Sequence, residues 1–469
     1  MTNPSTSPTA TSSGYRVEKD SLGEVRVPKN ALWGAQTQRA VENFPVSGQP
    51  LPPAFIQAVA HIKKAAARAN AKLDLLDGAR KDAIVKACDA LIAGEHGDQF
   101  PVDRYQTGSG TSTNMNVNEV ISALAVKAGA EVHPNDHVNM SQSSNDVIPT
   151  AIHVSAVLAI EERLRPALAH LAEVLANREQ EFERQVKTGR THLMDAMPVT
   201  VAQELRTWRE QVVMASERLH DAADGLLAVP QGGTAVGTGV NASPEFAEAF
   251  VAELSDDTGR AFRSLGHKFV GQSAIDGPVA ASAQLRGLAI VMTKIANDLR
   301  WMNSGPIHGL AEIQLPALQP GSSIMPGKVN PVIPESVAMV GAQVLGLDSA
   351  IAIAGQSGNF QLNVMLPLVA GNLLDMTELL TNSARILADK ALSGFTVNAK
   401  NLDDGVGRNP VLVTALNPEI GYSLAADIAK EAYRTGRPII DVAEERSGLS
   451  RDRLESLMDP LKLTKGGLA

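Results

Sequence analysis

Apolar residues recur at alternating steps of three and four positions along five segments of this 469-residue chain. Such spacing places them on one stripe of an α-helix, whereas a half-buried strand needs a step of two. Narrow stripes on several long helices are typical of a helix bundle. Aromatic residues are only 4% of the sequence, which also favours closely packed helices over a sheet. The striped segments are residues 157–175, 201–219, 285–302, 337–351 and 366–380.

Shorter amphipathic helices are predicted at residues 54–72, 80–93, 420–434 and 449–457. Pro166 lies inside the first long stripe, and it should kink that helix because proline has no backbone N–H. The long helices also carry many alanines off their main stripe, which gives them a second, weakly apolar face. Such a face could pack against copies of the same chain.

The chain is about three times as long as a typical domain of roughly 150 residues, so we predict several domains. The boundaries are placed near residues 142 and 391. The predicted parts are a disordered tail (1–13), a mainly helical N-terminal domain (14–142), a central helix-bundle domain (143–391) and a small C-terminal helical domain (392–469).

The net charge is −9, and no basic stripe appears that could release counterions from nucleic acid. We therefore predict no nucleic acid partner. No uncharged apolar stretch reaches about 18 residues, and the start resembles neither a secretion signal nor a transit peptide, so a cytoplasmic protein without a membrane partner is predicted. The single cysteine, Cys88, excludes an intrachain disulfide and fits a reducing compartment.

Small polar residues are concentrated in segments between the helices. Residues 108–118 combine glycine with Ser, Thr and Asn, whose donors suit an anion, although the same composition suits a solvated loop that caps the next helix. Residues 189–196 contain His192, flanked by Thr, Arg and Asp. A lone histidine can be structural or catalytic, and its place before a long helix favours the second interpretation.

Residues 321–331 read GSSIMPGKVNP, a loop whose two glycines and two prolines impose bends. Lys328 and Asn330 suit a carboxylate ligand. The serine pair that follows Gly321 could supply a nucleophile, a base or a hydrogen-bond donor. An apolar Ile-Met pair is unusual in a surface spacer, and a loop that closes over a small ligand explains it better.

His133 and His137 are four positions apart, a spacing that can bind a metal on a helix. Pro134 and Asn135 argue against a helix there, and no third histidine or cysteine lies nearby. We therefore predict no metal site.

The GSSIMPGKVNP loop resembles the signature of the fumarase/aspartase superfamily, and residues 108–118 and 189–196 resemble two further blocks of it in the same order. Within that superfamily the chain is most similar to class II fumarases, since aspartases usually carry Gln in place of His192 and Ala in place of Gly327. The resemblance implies an all-α, three-domain fold whose central, long five-helix bundle forms the helical core of a tetramer.

The resemblance also implies a cofactor-free and metal-free homotetramer that interconverts fumarate and (S)-malate by anti addition of water through a carbanion. Each active site would be built from three subunits. Ser322 would remove the carbon proton, while His192, paired with Glu335, would handle the water. The implied substrate contacts are Ser109, Gly110, Thr111, Ser143, Ser144, Asn145, Thr191, Ser323, Lys328, Val329 and Asn330. A second anion site is implied at His133, Pro134, Asn135 and Asp136.

Two alternatives remain open. The chain could eliminate ammonia from aspartate, as related enzymes of the superfamily do, or it could be a non-catalytic structural homologue, as lens crystallins are. The presence of Ser322, Lys328, Asn330, His192 and Glu335 favours an enzyme.

Overall fold

The computed structural model describes residues 14–467, so the predicted disorder of residues 1–13 lies outside the described residues. Helices dominate, which confirms the predicted all-α fold class. The helices are α1 (Ala35–Asn43), α2 (Pro53–Lys72), α3 (Gly78–Ile92), α4 (Thr111–Lys127), α5 (Ser144–Ala159), α6 (Arg165–Glu181), α7 (Val201–Leu226), α8 (Phe246–Thr258), α9 (Lys268–Ser273), α10 (Asp276–Met302), α11 (Val332–Gly355), α12 (Leu366–Leu387), α13 (Ala399–Gly407), α14 (Asn417–Ile420), α15 (Tyr422–Thr435), α16 (Ile439–Ser447), α17 (Arg451–Leu457) and α18 (Pro460–Leu463).

The strands within the described residues form two-stranded sheets, each made of two strands that are consecutive along the chain. The sheet of Ala228–Val229 with Arg263–Ser264 is parallel, and the others are antiparallel. The helical spacing does not predict them. The shortest strands have only two residues and show no alternation, whereas in Gly23–Pro28 the buried Val25 and Val27 alternate with exposed residues. The strands are β1 (Tyr15–Asp20), β2 (Gly23–Pro28), β3 (Val186–Thr191), β4 (Met194–Thr200), β5 (Ala228–Val229), β6 (Arg263–Ser264), β7 (Ile313–Gln314) and β8 (Thr396–Val397).

The five predicted stripes all fall on long helices, namely α5 with α6, α7, α10, α11 and α12. Their residues are buried almost without exception, and Trp208 on α7 is the largest of the fully buried side chains. Two stripe residues of α11, Val340 and Leu347, are only half-buried. Burial of apolar side chains at this spacing is therefore the main stabilising contribution to these helices.

The helix that contains Pro166 departs from α geometry at the predicted position. A π-helical turn, Ile160–Leu164, separates α5 from α6 and ends two residues before the proline. Proline cannot donate a hydrogen bond to the carbonyl four residues earlier, that of Glu162, so the wider turn accommodates the missing bond.

The chain divides into two compact units, each made of three stretches. Within unit 2, the C-terminal helices enclose their own apolar core, which includes Leu416, Ile428, Val442 and Leu454. The domain boundaries near residues 142 and 391 stay predictions. Unit 1 contains described residues up to 164, 218–286 and 343–379, and unit 2 contains residues 165–217, 287–342 and 380–467.

Helices α10 and α11 are long and apolar enough to cross a membrane by length and composition alone. Core helices of soluble proteins meet the same criteria. Both helices carry charged residues. The Asp348 carboxylate of α11 is almost fully buried and accepts hydrogen bonds from Ser282 Oγ at 2.6 Å and from Arg286 at 2.8 Å, both on α10. A charged network of this kind suits a protein core better than lipid.

Candidate active site

The first polar segment, in unit 1, is a tight loop followed by the first turns of α4. A Cβ on Gly108 would lie 1.8 Å from the carbonyl oxygen of Val364, so only glycine fits there. Ser109 Oγ and Thr111 Oγ1 lie 2.9 Å apart. Gly110, between these two residues, has a φ of 73° and is the N-cap of α4. The N-terminus of a 17-residue helix carries partial positive charge. Two hydroxyls at this end suit an anion.

The second group of predicted contacts, also in unit 1, begins α5. Ser143 is the N-cap, and its Oγ accepts a hydrogen bond from the Asn145 backbone N–H at 3.2 Å. Ser144 is buried, and its Oγ accepts a hydrogen bond from Asn114 Nδ2 at 3.0 Å. Asn145 Nδ2 donates to the Ala235 carbonyl at 2.8 Å, and the amide group has a second N–H to offer a ligand. The side chain of Asn145 therefore suits a ligand that accepts a hydrogen bond.

The predicted catalytic histidine lies at the tip of a hairpin in unit 2, formed by β3 and β4. Thr191 pairs with Met194, which leaves His192 and Leu193 as a two-residue turn with φ values of 56° and 61°. Both values lie in the left-handed region, which non-glycine residues seldom adopt and which often marks functional sites. The turn residues and both flanking residues are exposed in the single chain. The structure therefore presents His192 outward.

Buried charges fix the base of this hairpin. Lys187 Nζ lies 2.6 Å from Glu312 Oε2 and 2.6 Å from Glu204 Oε2, and Arg190 donates to Glu312 Oε1 at 2.6 Å. Lys187 and Glu312 are almost fully buried. Removing one partner from such a cluster would leave a buried charge unpaired, which is strongly unfavourable. The sequence does not single out Lys187 or Glu312, because a charge pair between distant positions leaves no local pattern.

The GSSIMPGKVNP segment is a loop in unit 2, as predicted. Its ends meet where the Gly321 N–H donates to the Lys328 carbonyl at 2.9 Å and where Asn330 Nδ2 donates to the Gly321 carbonyl at 2.6 Å. A Cβ on Gly321 would lie 2.3 Å from the Lys328 oxygen, so this closure requires glycine. Gly327 has a φ of 82°, a conformation that would strain the alanine typical of aspartases.

The Ser322 side chain faces two backbone donors of its own loop. Its Oγ accepts hydrogen bonds from the N–H groups of Ile324 at 3.2 Å and Met325 at 3.0 Å. Fixed N–H groups that point at one oxygen stabilise negative charge on it. The arrangement therefore favours the alkoxide form of this serine.

Four of the predicted site residues line one cavity of about 470 Å³ in unit 2: Lys328, Val329, Asn330 and Glu335. Arg300 lines it as well. A lysine, an arginine and an asparagine around a small cavity suit a ligand with carboxylate groups, and Glu335 adds a group that can accept a proton.

The predicted contacts thus form one group in unit 1 and another in unit 2. Among the described residues of the single chain, His192 and Glu335 form neither a hydrogen bond nor an ion pair with each other. Their pairing, and the joining of the two groups into one site, stay predictions. Ser323 is exposed on the loop, next to Ser322.

The second predicted anion site is a single π-helical turn, Pro134–Val138. The expectation that Pro134 and Asn135 exclude a helix is therefore wrong for one turn, since proline is tolerated at a first helical position. His133 Nδ1 lies 3.1 Å from Asp136 Oδ2. No group of three or more His, Cys, Asp or Glu side chains within residues 14–467 is arranged to hold a metal ion.

Comparison with known proteins identifies the family. A family model described as "Lyase" matches residues 23–346, and one described as "Fumarase C C-terminus" matches residues 412–465. Fumarate hydratase class II 2 of Pseudomonas aeruginosa is 60% identical over 97% of this chain and 99% of its own length. Fumarate hydratase class II of Mycobacterium tuberculosis is 51% identical over 95% of this chain and 94% of its own length.

Solved structures agree. Class II fumarase from Schistosoma mansoni matches with a TM-score of 0.93 at 38% identity, over 96% of this chain and 99% of that one. A fumarate lyase:delta crystallin protein from Brucella melitensis, bound to cobalt, matches with a TM-score of 0.92 at 43% identity and the same coverage. High identity over nearly the whole length, together with the GSSIMPGKVNP loop and its closed geometry, shows that the chain belongs to the class II fumarate hydratases.

Proposed function

We propose that this chain is a fumarate hydratase that adds water reversibly, in anti geometry, to fumarate and so forms (S)-malate. The observation that carries the proposal is the loop at residues 321–331, where Ser322 faces two N–H donors while Lys328 and Asn330 line a cavity with Glu335. Hydration of a dicarboxylate needs these three elements: a proton acceptor, donors for the carboxylates and a second acid–base group.

The dehydration direction shows what the site must do. The Ser322 alkoxide takes a proton from the carbon next to a carboxylate, and the electron pair left behind is delocalised into that carboxylate as a carbanion. The carbon–oxygen bond to the hydroxyl group then breaks, the double bond forms, and the hydroxide leaves as water with a proton from His192. The carboxylate carries extra negative charge in the intermediate, so fixed donors around it supply much of the stabilisation.

The two substrate carboxylates are proposed to bind to six side chains, those of Ser109, Thr111, Asn145, Thr191, Lys328 and Asn330. Their hydroxyl, amide and ammonium groups are donors, and the α4 N-terminus adds partial positive charge. His192 is proposed to pair with Glu335 of another subunit, because a carboxylate behind an imidazole fixes its tautomer. The outward-facing hairpin tip supports this shared arrangement.

We propose a homotetramer, in which α11 packs against copies of the same chain. Its buried stripe faces the core, but Met339, Ala342, Gly346, Ser349 and Ile353 recur at steps of three and four on another face and are all exposed or nearly so. Only 33% of the most apolar 18-residue stretch of this helix is buried within one chain. A small and apolar stripe that long is typical of helix–helix packing.

Replacing Gly346 with glutamine should disrupt this assembly. A Cβ at this position has no neighbour within 4 Å in the single chain, so the side chain meets no obstacle there. Helix propensity alone should stabilise the isolated chain by about 0.5–1 kcal/mol. We therefore expect gel filtration with light scattering to show dimers or monomers with native helix content, and hydratase activity to be lost with the tetramer.

Gly405→Gln is the matched control, because Gly405 is exposed on α13 and a Cβ there also has open space. This variant should remain tetrameric. A Gly346→Gln protein that stays a tetramer would contradict the proposed packing of α11.

The proposed activity is tested by following the ultraviolet absorbance of fumarate formed from (S)-malate and, separately, from aspartate. We expect turnover of malate and none of aspartate, without added metal and in the presence of a chelator. Faster turnover of aspartate would identify an ammonia-lyase instead. A tetramer that turns over neither substrate would be a non-catalytic structural homologue.

We also propose a cytoplasmic location and a role in the tricarboxylic acid cycle, where this reaction belongs. Cys88, the only cysteine of the chain, is fully buried, and burial raises the pKa of its thiol. A free thiol is compatible with a reducing compartment.

A further inference from the structure

Lys63 is a charged residue that the proposed mechanism leaves unexplained. It lies on α2, is 0% exposed, and its Nζ donates to Asn139 Oδ1 at 2.8 Å and to Gln142 Oε1 at 3.1 Å. Both acceptors are neutral amide oxygens. Burial lowers the pKa of this ammonium group to about 7, although the nearby Asp146 carboxylate opposes the shift. A buried cation is costly unless it is well solvated by the protein, so its retention calls for a reason.

The Asn139 amide connects this ammonium group to the start of α4. Its Oδ1 also accepts hydrogen bonds from Asn114 Nδ2 at 3.2 Å and from Asn118 Nδ2 at 3.3 Å, and both asparagines are fully buried. Asn114 follows the Ser109–Thr111 loop by one helical turn. Lys63 is the charged donor of the group, and charge-assisted hydrogen bonds are roughly twice as strong as neutral ones.

The same cluster reaches the start of α5. Asn114 Nδ2 also donates to Ser144 Oγ at 3.0 Å, and Asn139 Nδ2 donates to the Gln142 carbonyl at 3.2 Å. Residues 142–144 lead directly into Asn145. One buried group of hydrogen bonds, with Asn139 at its centre and Lys63 as its charged donor, therefore joins both segments of unit 1 that present donors for carboxylates.

The Asp146 carboxylate fixes the same segment through a separate set of hydrogen bonds. It accepts hydrogen bonds from the backbone N–H groups of Ser143 at 2.9 Å, Gly232 at 3.0 Å and Thr234 at 2.9 Å. The loop that supplies the last two donors also supplies the Ala235 carbonyl to Asn145. The segment that leads into Asn145 is thus held by hydrogen bonds to both a buried ammonium group and a buried carboxylate.

We propose that Lys63 is a positioning residue for dicarboxylate binding, which fixes the Ser109–Thr111 and Ser143–Asn145 segments through Asn139 and Asn114. The inference rests on the proposed function, because these segments are assigned to the substrate there. Lys63 does not touch substrate itself. Its loss should weaken the binding of substrate and transition state alike, so it should raise KM and leave kcat nearly unchanged.

Lys63→Met tests this, because methionine keeps an unbranched apolar side chain and removes the ammonium group. We expect KM for malate, and the dissociation constant of unreactive succinate measured by calorimetry, to rise together by about tenfold or more. The kcat value should stay within about threefold of wild type. The tetramer and its melting temperature are measured alongside, to separate positioning from folding.

Lys64→Met is the matched control on the next position of α2. Lys64 Nζ pairs with Asp257 and, at 2.7 Å, with Asp89, away from the Asn139 cluster. The KM for malate and the succinate affinity of the Lys64→Met variant should match those of wild type within about twofold. A folded Lys63→Met tetramer with wild-type KM and succinate affinity would overturn the inference, and so would a fall in kcat at constant KM.

Asn114→Ala covers the case in which Lys63→Met fails to fold. It removes the bridge between Asn139 and Ser144 and leaves the cation in place, so KM and the succinate dissociation constant should again rise together. Unchanged values in this variant would overturn the inference. A wild-type chain that binds succinate but lacks hydratase activity would contradict the proposed function instead, and the succinate measurements would still decide the role of Lys63.

Discussion

Replacing Ser322 with alanine should lower kcat for malate dehydration by about 10²–10⁴-fold, the range that a positioned general base contributes. The Ser322 Oγ would no longer be present to receive the proton, although its two N–H donors, from Ile324 and Met325, would remain. KM should change much less, because the carboxylate donors Lys328 and Asn330 are untouched. The measurement is steady-state kinetics on the purified protein.

Ser393→Ala is the control for this variant. The Ser393 Oγ also bonds to backbone, the Asp389 carbonyl at 2.8 Å, but it lies outside the proposed site. It should turn over malate like wild type. If Ser322→Ala retained activity within about tenfold of wild type, another group would have to be the base.

Replacing His192 with asparagine should lower kcat by about 10²-fold or more, since the second proton-transfer group is lost. Asparagine tolerates positive φ better than most residues, so it suits the conformation that His192 adopts at the hairpin tip. The hairpin should therefore stay folded, and the loss can be assigned to chemistry.

His170→Asn is the control for His192→Asn. His170 is an exposed histidine of α6 whose Nε2 lies 2.6 Å from Asp389 Oδ1, and the proposed mechanism does not use it. Its kinetics and pH profile should match wild type. Near-normal turnover by His192→Asn would exclude the role proposed for that residue.

The long helices were the most predictable part of the fold, because their physics is local. A step of three and four positions decides which side chains share a face, and that face is buried in α7, α10 and α12. The hairpin that carries His192 was not predictable in the same way. Its strands are held by Arg190 and Glu312, which are 122 positions apart, and periodicity contains no information about such pairs.

The site was predictable in its residue types but not in its geometry. Glycine, serine, lysine and asparagine at residues 321–331 indicate a carboxylate-binding loop by chemistry and by resemblance. The two N–H groups that face Ser322 depend on the backbone conformation of the loop, which cannot be deduced from the amino-acid sequence. Lys63 was missed because one of several lysines in an alanine-rich helix resembles any surface lysine until its burial is known.

The outward-facing hairpin tip has a genetic consequence. In the proposed assembly each active site combines His192 of one subunit with the loop at residues 321–331 of a neighbouring subunit. A defect in one gene copy would therefore disable sites to which intact subunits contribute. The outcome differs when two inactive subunits with different defects assemble together. Subunits that lack Ser322 and subunits that lack His192, assembled together, would recreate some intact sites, so that two inactive alleles would complement each other within one oligomer.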